Sequence, residues 1–426
     1  MKSLCDSSVV RVVVVGGGVV GLCSAFSLHE RGFEVVVLEA GAIGGGASQG
    51  NTGWVVPTLS TPLAAPGMLR TGLRSALDPR GALIIRPWGA GLDLSWVRWL
   101  WQFRRSASRE RFAQGVRALL DLNARTFEAL DGYRAAGVAF EQHETGMLVI
   151  ARDRSGLGWF QTLYDELAEL GFEGGIEHLD PGAARELEPA LGDGVGAALR
   201  TTVDRYVRPE SLTRGLAEFL SGRGPVVRTD TSVHALRSDG GSWVVETGAG
   251  PERADAVVLA TGVSANQLLR PLGVRVPVIG AKGYSVTVRG TGTAPRVALY
   301  LGEAKIGVSP FGDVVRIAGL FELPARSDAV DPARARQLVE DTLPYLRDWR
   351  PVPGGEAAAA WAGLRPATPD SLPLIGQVPG RPGLFLAAGH GMLGVTLAPA
   401  TGLAVADLVE RRPPAWLEPF RLERAI

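Results

Sequence analysis

The chain is poor in the residues that cross-link proteins or hold metals. Cysteine occurs only at Cys5 and Cys23, which excludes a disulfide framework and a thiolate metal site. The histidines, His29, His143, His178, His234 and His390, never fall at metal-ligand spacing, so no metal is expected. Neither sign of charge is in excess. Lys+Arg and Asp+Glu are both 44 and the net charge is zero. No nucleic-acid partner held by a basic surface is therefore expected. No apolar run reaches the length of a membrane span. The first apolar run is broken at once by glycines, unlike a secretory leader. These absences predict a soluble protein of the cytoplasm.

What is plentiful is glycine, with 56 in a chain of 426 residues that is 46% hydrophobic. That length allows two domains and a large core. The most telling glycines lie in VVVVGGGVVGLCSAFSLHERGFEVVVLE, residues 12–39. Four valines, Val12 to Val15, predict a buried strand. Gly16, Gly18 and Gly21 follow with G-x-G-x-x-G spacing. A helix from Val19 to Arg31 comes next, stopped by Gly32. A second strand, Glu34 to Leu38, ends on Glu39. Each part suits dinucleotide binding. Gly16 permits a tight turn, Gly18 lets backbone approach a pyrophosphate, and Gly21 lets the helix lie on the sheet. The helix start, Val19 and Val20, offers N–H groups and partial positive charge to phosphate. Glu39 stands where an acid accepts from ribose hydroxyls. It disfavours a 2′-phosphate and does not separate NAD from FAD.

Beyond Glu39 the chain reads AGAIGGGASQGNTGWVVP, residues 40–57. A flexible loop is the plain reading. The preferred one is a backbone running along a flat ligand, with Ala40, Ala47, Ser48, Asn51 and Thr52 against it. Residues 62–92 are irregular. In 92–105, Leu92, Trp96, Trp99, Leu100 and Phe103 share a helical face. That face either packs on the protein or rests on a membrane interface, which would put the protein peripherally on the inner face of the membrane. One amphipathic helix is expected over 108–132, a strand pair over 138–152 and a helix over 159–170. A further helix starts at Pro209. Short strands fill 226–263. Val233 stands at a strand edge where its backbone can meet an adenine. A buried strand ends in Ala260-Thr261-Gly262, and this second glycine turn is expected of a flavoprotein more than of an NAD dehydrogenase. Residues 274–323 alternate as an antiparallel sheet, read as the floor of a substrate site. Helices are expected over 331–349 and from Val395 to about Arg411.

Several of these stretches together resemble one family. The N-terminal βαβ with Glu39, GASQGNTGW, TPLAAPGML (61–69), AKGYSVTV, GDVVRIAG and GLRPATPDSLPLIG…LFLAAGHGMLGVTLAPATG occur in order along the whole chain. They resemble the FAD-dependent D-amino-acid oxidase superfamily, which includes glycine oxidase and sarcosine oxidase. The likeness is greatest to its bacterial D-amino-acid dehydrogenase branch. Lys282 to Ser285 and Gly389 to Gly394 are the most specific matches. Two departures stand out. Phe311 occupies the place where glycine oxidase carries an Arg, and residues 150–200 match loosely.

The resemblance implies an α/β fold: a Rossmann-like FAD domain from 1–56, 196–268 and 358–426, and an inserted, mostly antiparallel substrate domain from 57–195 and 269–357. It implies that Gly363, Arg365, Gly389, Gly391, Met392, Leu393, Gly394, Val395 and Thr396 border the flavin, with the last long helix aimed at it. Sarcosine oxidases attach flavin through a Cys in their second half. No Cys follows Cys23, so FAD is expected to be non-covalent. The implied reaction oxidises a C–N bond by hydride transfer from Cα, and water then hydrolyses the imino acid. Electrons pass on to a quinone or another acceptor. Such chemistry needs an Arg and a Tyr for the substrate carboxylate more than it needs an acid or base. Arg316 inside its strand is the leading candidate, weighed against a salt bridge with Glu322. Tyr284, His390 and Lys282 are the other catalytic candidates. Two alternatives stay open: a glycine, sarcosine or cyclic secondary amine as substrate, and an NAD-dependent or non-catalytic nucleotide-binding protein.

Overall fold

The structure is a computed structural model that describes residues 10–68, 72, 78, 80–85, 94–172, 174–352 and 359–425. Cys5, Leu69 and Leu92 lie outside the described residues.

Val12 to Val15 are fully or nearly fully buried and form the strand Arg11–Val15. It pairs in parallel with Glu34–Leu38 on one side and Ala256–Leu259 on the other. The six-stranded sheet runs Val226–Arg228, Glu34–Leu38, Arg11–Val15, Ala256–Leu259, Leu384–Ala388, Leu374–Gln377. The last strand alone is antiparallel to its neighbour. Runs of Val, Leu and Ala without polar alternation are what a sheet covered on both faces requires. One face is covered by the helices Val19–Glu30, Pro209–Ser221 and Gly394–Val409. The other packs under the meander Val233–Asp239, Ser242–Thr247, Gly250–Ala254. Gly402 permits close helix contact, since a Cβ there would lie 2.4 Å from Cys23 O.

The second layer is a nine-stranded sheet whose centre is the expected antiparallel floor. Ile279–Val288 pairs with Val314–Leu323 and with Ala359–Ala367. Val314–Leu323 also pairs with Ile306–Phe311. Strands Ala197–Thr201 and Ala359–Ala367 belong to this sheet by register. The ranges 196–268 and 358–426 therefore each lend a strand to this second sheet. In 62–92 the sequence reads as irregular, yet Leu83–Ile85 adds a parallel strand beside Phe321–Leu323.

Two other expectations are corrected. The segment 108–132 is two helices, Arg109–Asn123 and Thr126–Ala136. At the break, the Thr126 hydroxyl donates to Thr396 O at 3.1 Å, which ties the second helix to the C-terminal one. In 138–152, Gln142–His143 and Met147–Ala151 do not pair with each other. The first joins Arg205–Val207 and the second the nine-stranded sheet.

The helix Leu94–Ser106 buries Trp96, Trp99 and Phe103, whose rings stack at 5.4 Å centroid spacing. They pack on Ile85, Ala281, Phe321 and Leu323, and Trp99 Nε1 donates to Pro277 O at 3.0 Å. The face expected to choose between protein and membrane is thus the protein-packed one. Among the described residues no helix is long and apolar enough to cross a membrane.

Candidate active site

The first strand ends at Gly16, whose φ of 113° favours glycine. A Cβ at Gly16 would lie 2.5 Å from Ala260 O, and one at Gly21 would lie 1.9 Å from Gly16 O. These two glycines let the first turn close against the second turn and the helix close against the strand. Gly18 differs, because its Cβ would meet nothing nearer than Ser48 Oγ at 3.4 Å. The protein itself does not demand glycine there. Ser48 Oγ accepts from Val19 N at 3.0 Å, at the start of the helix. Glu39 Oε2 accepts from Gly17 N at 2.6 Å and Oε1 from Gly41 N at 2.9 Å. The acid is therefore held at the rim of the glycine turn, with Ala40 exposed beside it. Thr231 N donates to Glu39 O at 2.8 Å, which brings the strand starting at Val233 to the same rim.

At the sheet's other crossing, Ala260-Thr261-Gly262 faces this turn. Thr261 Oγ1 is buried and lacks a hydrogen-bond partner. The third turn, Gly389 to Gly394, uses φ of 81° at Gly389 and 54° at Gly391. Gly391 N donates to Pro366 O at 2.8 Å, which fastens this turn to Arg365-Pro366. Leu393 caps the helix Gly394–Val409 without a side-chain bond, so its first N–H groups stay available. Met392 is exposed and Val395 buried. The Thr396 hydroxyl is already engaged, donating to Trp54 O at 2.9 Å.

Between these turns and the floor runs the segment 47–56. Trp54 Nε1 donates to Ser309 Oγ at 2.9 Å, and Ser309 Oγ donates to Thr52 O at 2.8 Å. A Cβ at Gly307 would lie 2.9 Å from Thr52 and 2.7 Å from Trp54. This identifies the floor face turned toward the nucleotide rim. Its residues alternate along each strand: Gly283, Ser285 and Thr287, then Arg316 and Ala318, then Trp361, Gly363 and Arg365. Ser285 is 1% exposed and its hydroxyl has no partner. Two buried hydroxyls without partners, two helix starts and a floor of small residues fit a flat, polar-edged group such as FAD.

Arg316, the leading candidate for the substrate carboxylate, is already engaged by the chain itself. Arg316 is 4% exposed and tied down by its neighbours. Its Nε donates to Thr287 Oγ1 at 2.9 Å, Nη1 to Asn51 O at 2.9 Å and to Glu210 Oε2 at 3.2 Å, and Nη2 lies 2.8 Å from Glu210 Oε1. Its partner is Glu210, not Glu322, which pairs with Arg334 at 3.0 Å. Arg316 thus bolts the 47–56 segment to the floor, and Phe311 underlies its guanidinium at 5.4 Å. Arg365, expected to border the flavin, is half-buried, and among the described residues no carboxylate pairs with it. Burial lowers its pKa to about 10. Among the described residues its Nη1 donates to Leu320 O at 2.8 Å, and Leu320 holds an unusual φ of 60°. The guanidinium lies over Gly283, where a Cβ would sit 1.9 Å from Nη1.

Tyr284 and Lys282 are corrected by the same alternation. They point to the opposite face, where Tyr284 packs among Val286, Ile317 and Leu338. The Lys282 ammonium lies 5.1 Å from the Tyr284 ring and donates to Ala329 O. His390 is 3% exposed, its Nε2 lies 3.0 Å from Thr401 Oγ1, and burial lowers its pKa to about 3. It is a neutral internal strut of the turn rather than a base. Glu210 and Trp361 were not singled out from sequence, and Gly283 and Ser285 entered only as part of the Lys282 to Ser285 motif, without a site role. Glu210 reads there as an ordinary acid in a helix's first turn, and period-2 alternation is the one signal that groups the other three.

A parallel sheet with glycine turns on one rim, set against a small-residue floor, defines a dinucleotide-dependent oxidoreductase. The chain belongs to the FAD dependent oxidoreductase family, whose model matches residues 11–408. It is 34% identical over 417 residues to a D-amino acid dehydrogenase of Cereibacter sphaeroides, covering 95% of this chain and 92% of that one. It is 34% identical to the D-amino acid dehydrogenase of Paramagnetospirillum magneticum, covering 95% and 96% of the two chains. The fold matches the crystal structure of glycine oxidase from Geobacillus kaustophilus with a TM-score of 0.76 and 26% identity, covering 98% of this chain and 100% of that one. The protein is an FAD-dependent oxidoreductase, and the NAD-dependent and non-catalytic readings are set aside.

Proposed function

We propose that the protein oxidises the C–N bond of a D-amino acid and passes the electrons to a quinone-class acceptor rather than to oxygen. The observation that carries the substrate class is Arg365: a half-buried guanidinium with no carboxylate partner among the described residues, beside a floor cleared by Gly283. Such a cation recognises a carboxylate by two parallel N–H bonds. The whole-length likeness to D-amino acid dehydrogenases supports the D configuration and the dehydrogenase mode. When bound, non-covalent FAD supplies the hydride acceptor. Glu39 and the glycine turns hold its nucleotide end. Ser285 and Thr261 offer hydroxyls along the ring's path.

The chain's own part is positioning. Arg365 fixes the carboxylate and the small-residue floor leaves room above it. With carboxylate and side chain both fixed, one enantiomer alone directs its α-hydrogen at the cofactor. A misplacement of about 1 Å costs on the order of a hundredfold in rate. The central strands Ile279–Val288, Ile306–Phe311, Val314–Leu323 and Ala359–Ala367 carry no histidine or aspartate, which suits a reaction whose amine is bound already neutral. A second reading, a glycine-type or secondary-amine substrate, is favoured by the fit to glycine oxidase.

A panel of D-amino acids, L-amino acids, glycine, sarcosine and cyclic imino acids, mixed anaerobically with the purified protein, tests this. D-amino acids should bleach the flavin absorbance, and a redox dye should then turn over faster than oxygen. Bleaching by glycine or sarcosine but by no chiral D-amino acid would establish the second reading. Peroxide formed at the rate of dye reduction would make the protein an oxidase.

A further inference from the structure

With Trp96, Trp99 and Phe103 locked against the floor, the helix Leu94–Ser106 turns a different apolar stripe outward. Leu94 is 84% exposed, Val97 53% and Trp101 55%. Their spacing puts them on one line along the helix. They cannot be a misplaced core face, because the core face is already filled. Exposed apolar side chains of this size in a row mark a binding surface rather than chance exposure.

The charges around the stripe say what it binds. Arg98, Arg104 and Arg105 are exposed on the same helix, and Arg109, Arg111 and Arg117 on the next one, Arg109–Asn123. Among the described residues none of these guanidiniums pairs with a carboxylate. The only acids on the two helices are Glu110 and Asp121. On a chain of zero net charge this is a local concentration of one sign. The Arg105 guanidinium lies 4.5 Å over the Trp101 ring, so cation and amphipathic ring share one position. Behind them a cleft of about 730 Å³ is lined by Trp101, Arg105, Arg111 and Arg117, with Asp121 and the Asp370–Arg424 pair on its walls.

We infer that the helix Leu94–Ser106 lies flat on an anionic phospholipid bilayer, with Leu94, Val97 and Trp101 among the acyl-chain ends and the arginines at headgroup phosphates. An apolar line flanked by cations on a helix too short to span matches an interfacial helix. This is the reverse of the face that the sequence offers for membrane contact. It goes beyond the proposed reaction but meets it physically, since a quinone acceptor resides in lipid. The buried side of the helix packs on Phe321, and the Phe321 ring lies 5.6 Å from the Arg365 guanidinium.

The test is flotation of the FAD-loaded protein with vesicles of phosphatidylcholine alone or with one-quarter phosphatidylglycerol. Wild type should float with the anionic vesicles, and about 0.5 M salt should weaken this, because headgroup charge is screened. Val97→Ser/Trp101→Ala and, separately, Arg98→Gln/Arg105→Gln should each lower partition at least tenfold. Both should keep wild-type melting temperature and dye-linked turnover, which separates failed docking from a failed reaction. Equal partition of wild type onto neutral and anionic vesicles, no binding to either, or unchanged binding by both variants would overturn the proposal. A lipid-free dimer by light scattering that Val97→Ser/Trp101→Ala dissolves would also overturn it, and would assign the stripe to a second copy.

Discussion

Arg316 and Glu210 join the floor sheet to the nucleotide layer through two contacts, 2.8 Å and 3.2 Å long. Glu210 also accepts from Gly50 N at 3.1 Å, while Arg316 donates to Asn51 O. The pair therefore grips both ends of the dipeptide Gly50-Asn51 in the segment 47–56. Burial pushes the Glu210 carboxyl up, but the Arg316 charge and hydrogen bonds outweigh this and leave its pKa below the usual carboxylate range. Glu210 thus adds stability above its unfolded pKa of about 4.3, lost as pH falls through the lower folded value.

Removing one partner should cost more than removing both. Glu210→Gln leaves a buried guanidinium uncompensated and should lower unfolding free energy by about 3 kcal/mol. FAD retention should fall with it. Arg316→Met/Glu210→Leu should recover most of the melting temperature. A single variant that melts like wild type would show that the pair holds nothing.

Arg365→Ala should lower kcat/KM for amino acids by at least about a hundredfold through KM, with FAD still bound. Its activity on the corresponding decarboxylated amines should not fall further. Gly283→Ala should act in the same direction, because its new Cβ takes the space of the guanidinium. Steady-state kinetics on both variants decide this, and wild-type KM in both would remove Arg365 from substrate binding.

Glu39→Gln should weaken FAD binding by roughly 10- to 100-fold, the equivalent of about 1.5–3 kcal/mol for a lost charged acceptor. Turnover of the fully loaded variant should change little. Acid precipitation of wild type should leave the yellow colour in the supernatant. Cys23 cannot hold flavin, since it is buried beneath the C-terminal helix with its thiol pKa raised to about 12. Colour in the pellet would refute non-covalent binding.

His390 has a folded pKa near 3 against an unfolded one near 6.5. The unfolded chain binds the extra proton between those values, so stability is full above about pH 6.5 and falls as pH drops toward 3. His390→Gln should flatten the melting-temperature profile below pH 6.5 and leave the turnover profile between pH 7 and 9 unchanged. An altered turnover profile there would make His390 part of the reaction.

The nucleotide half of the fold is legible in sequence because its signals are local. A valine run, three spaced glycines and an acid lie within one βαβ unit, and the strand Glu34–Leu38 falls where the residues predict it. The floor was legible as strands but not as a face. Gly283 and Tyr284 are neighbours in sequence and lie on opposite sides of the sheet, so choosing between them needs the register with Ala318, Gly319 and Trp361. Arg316 was weighed against the nearby Glu322 because its actual carboxylate partner, Glu210, lies 106 residues away in sequence. The helix Leu94–Ser106 shows tryptophans on more than one side, and only packing decides which are spent.

The interleaving of the two sheets has a consequence for how the chain must be made. Val12 to Val15 wait for Ala256–Leu259 and then for Leu384–Ala388 before the nucleotide sheet is complete, and the floor closes only when Ala359–Ala367 reaches Ile279–Val288. Neither layer is a contiguous piece that can be cut out and expressed. Contacts of such long sequence separation make folding slow and leave both sheet edges open while synthesis proceeds. Truncation from either end should therefore give aggregates rather than a working half, and any split version must be assembled from fragments that co-fold.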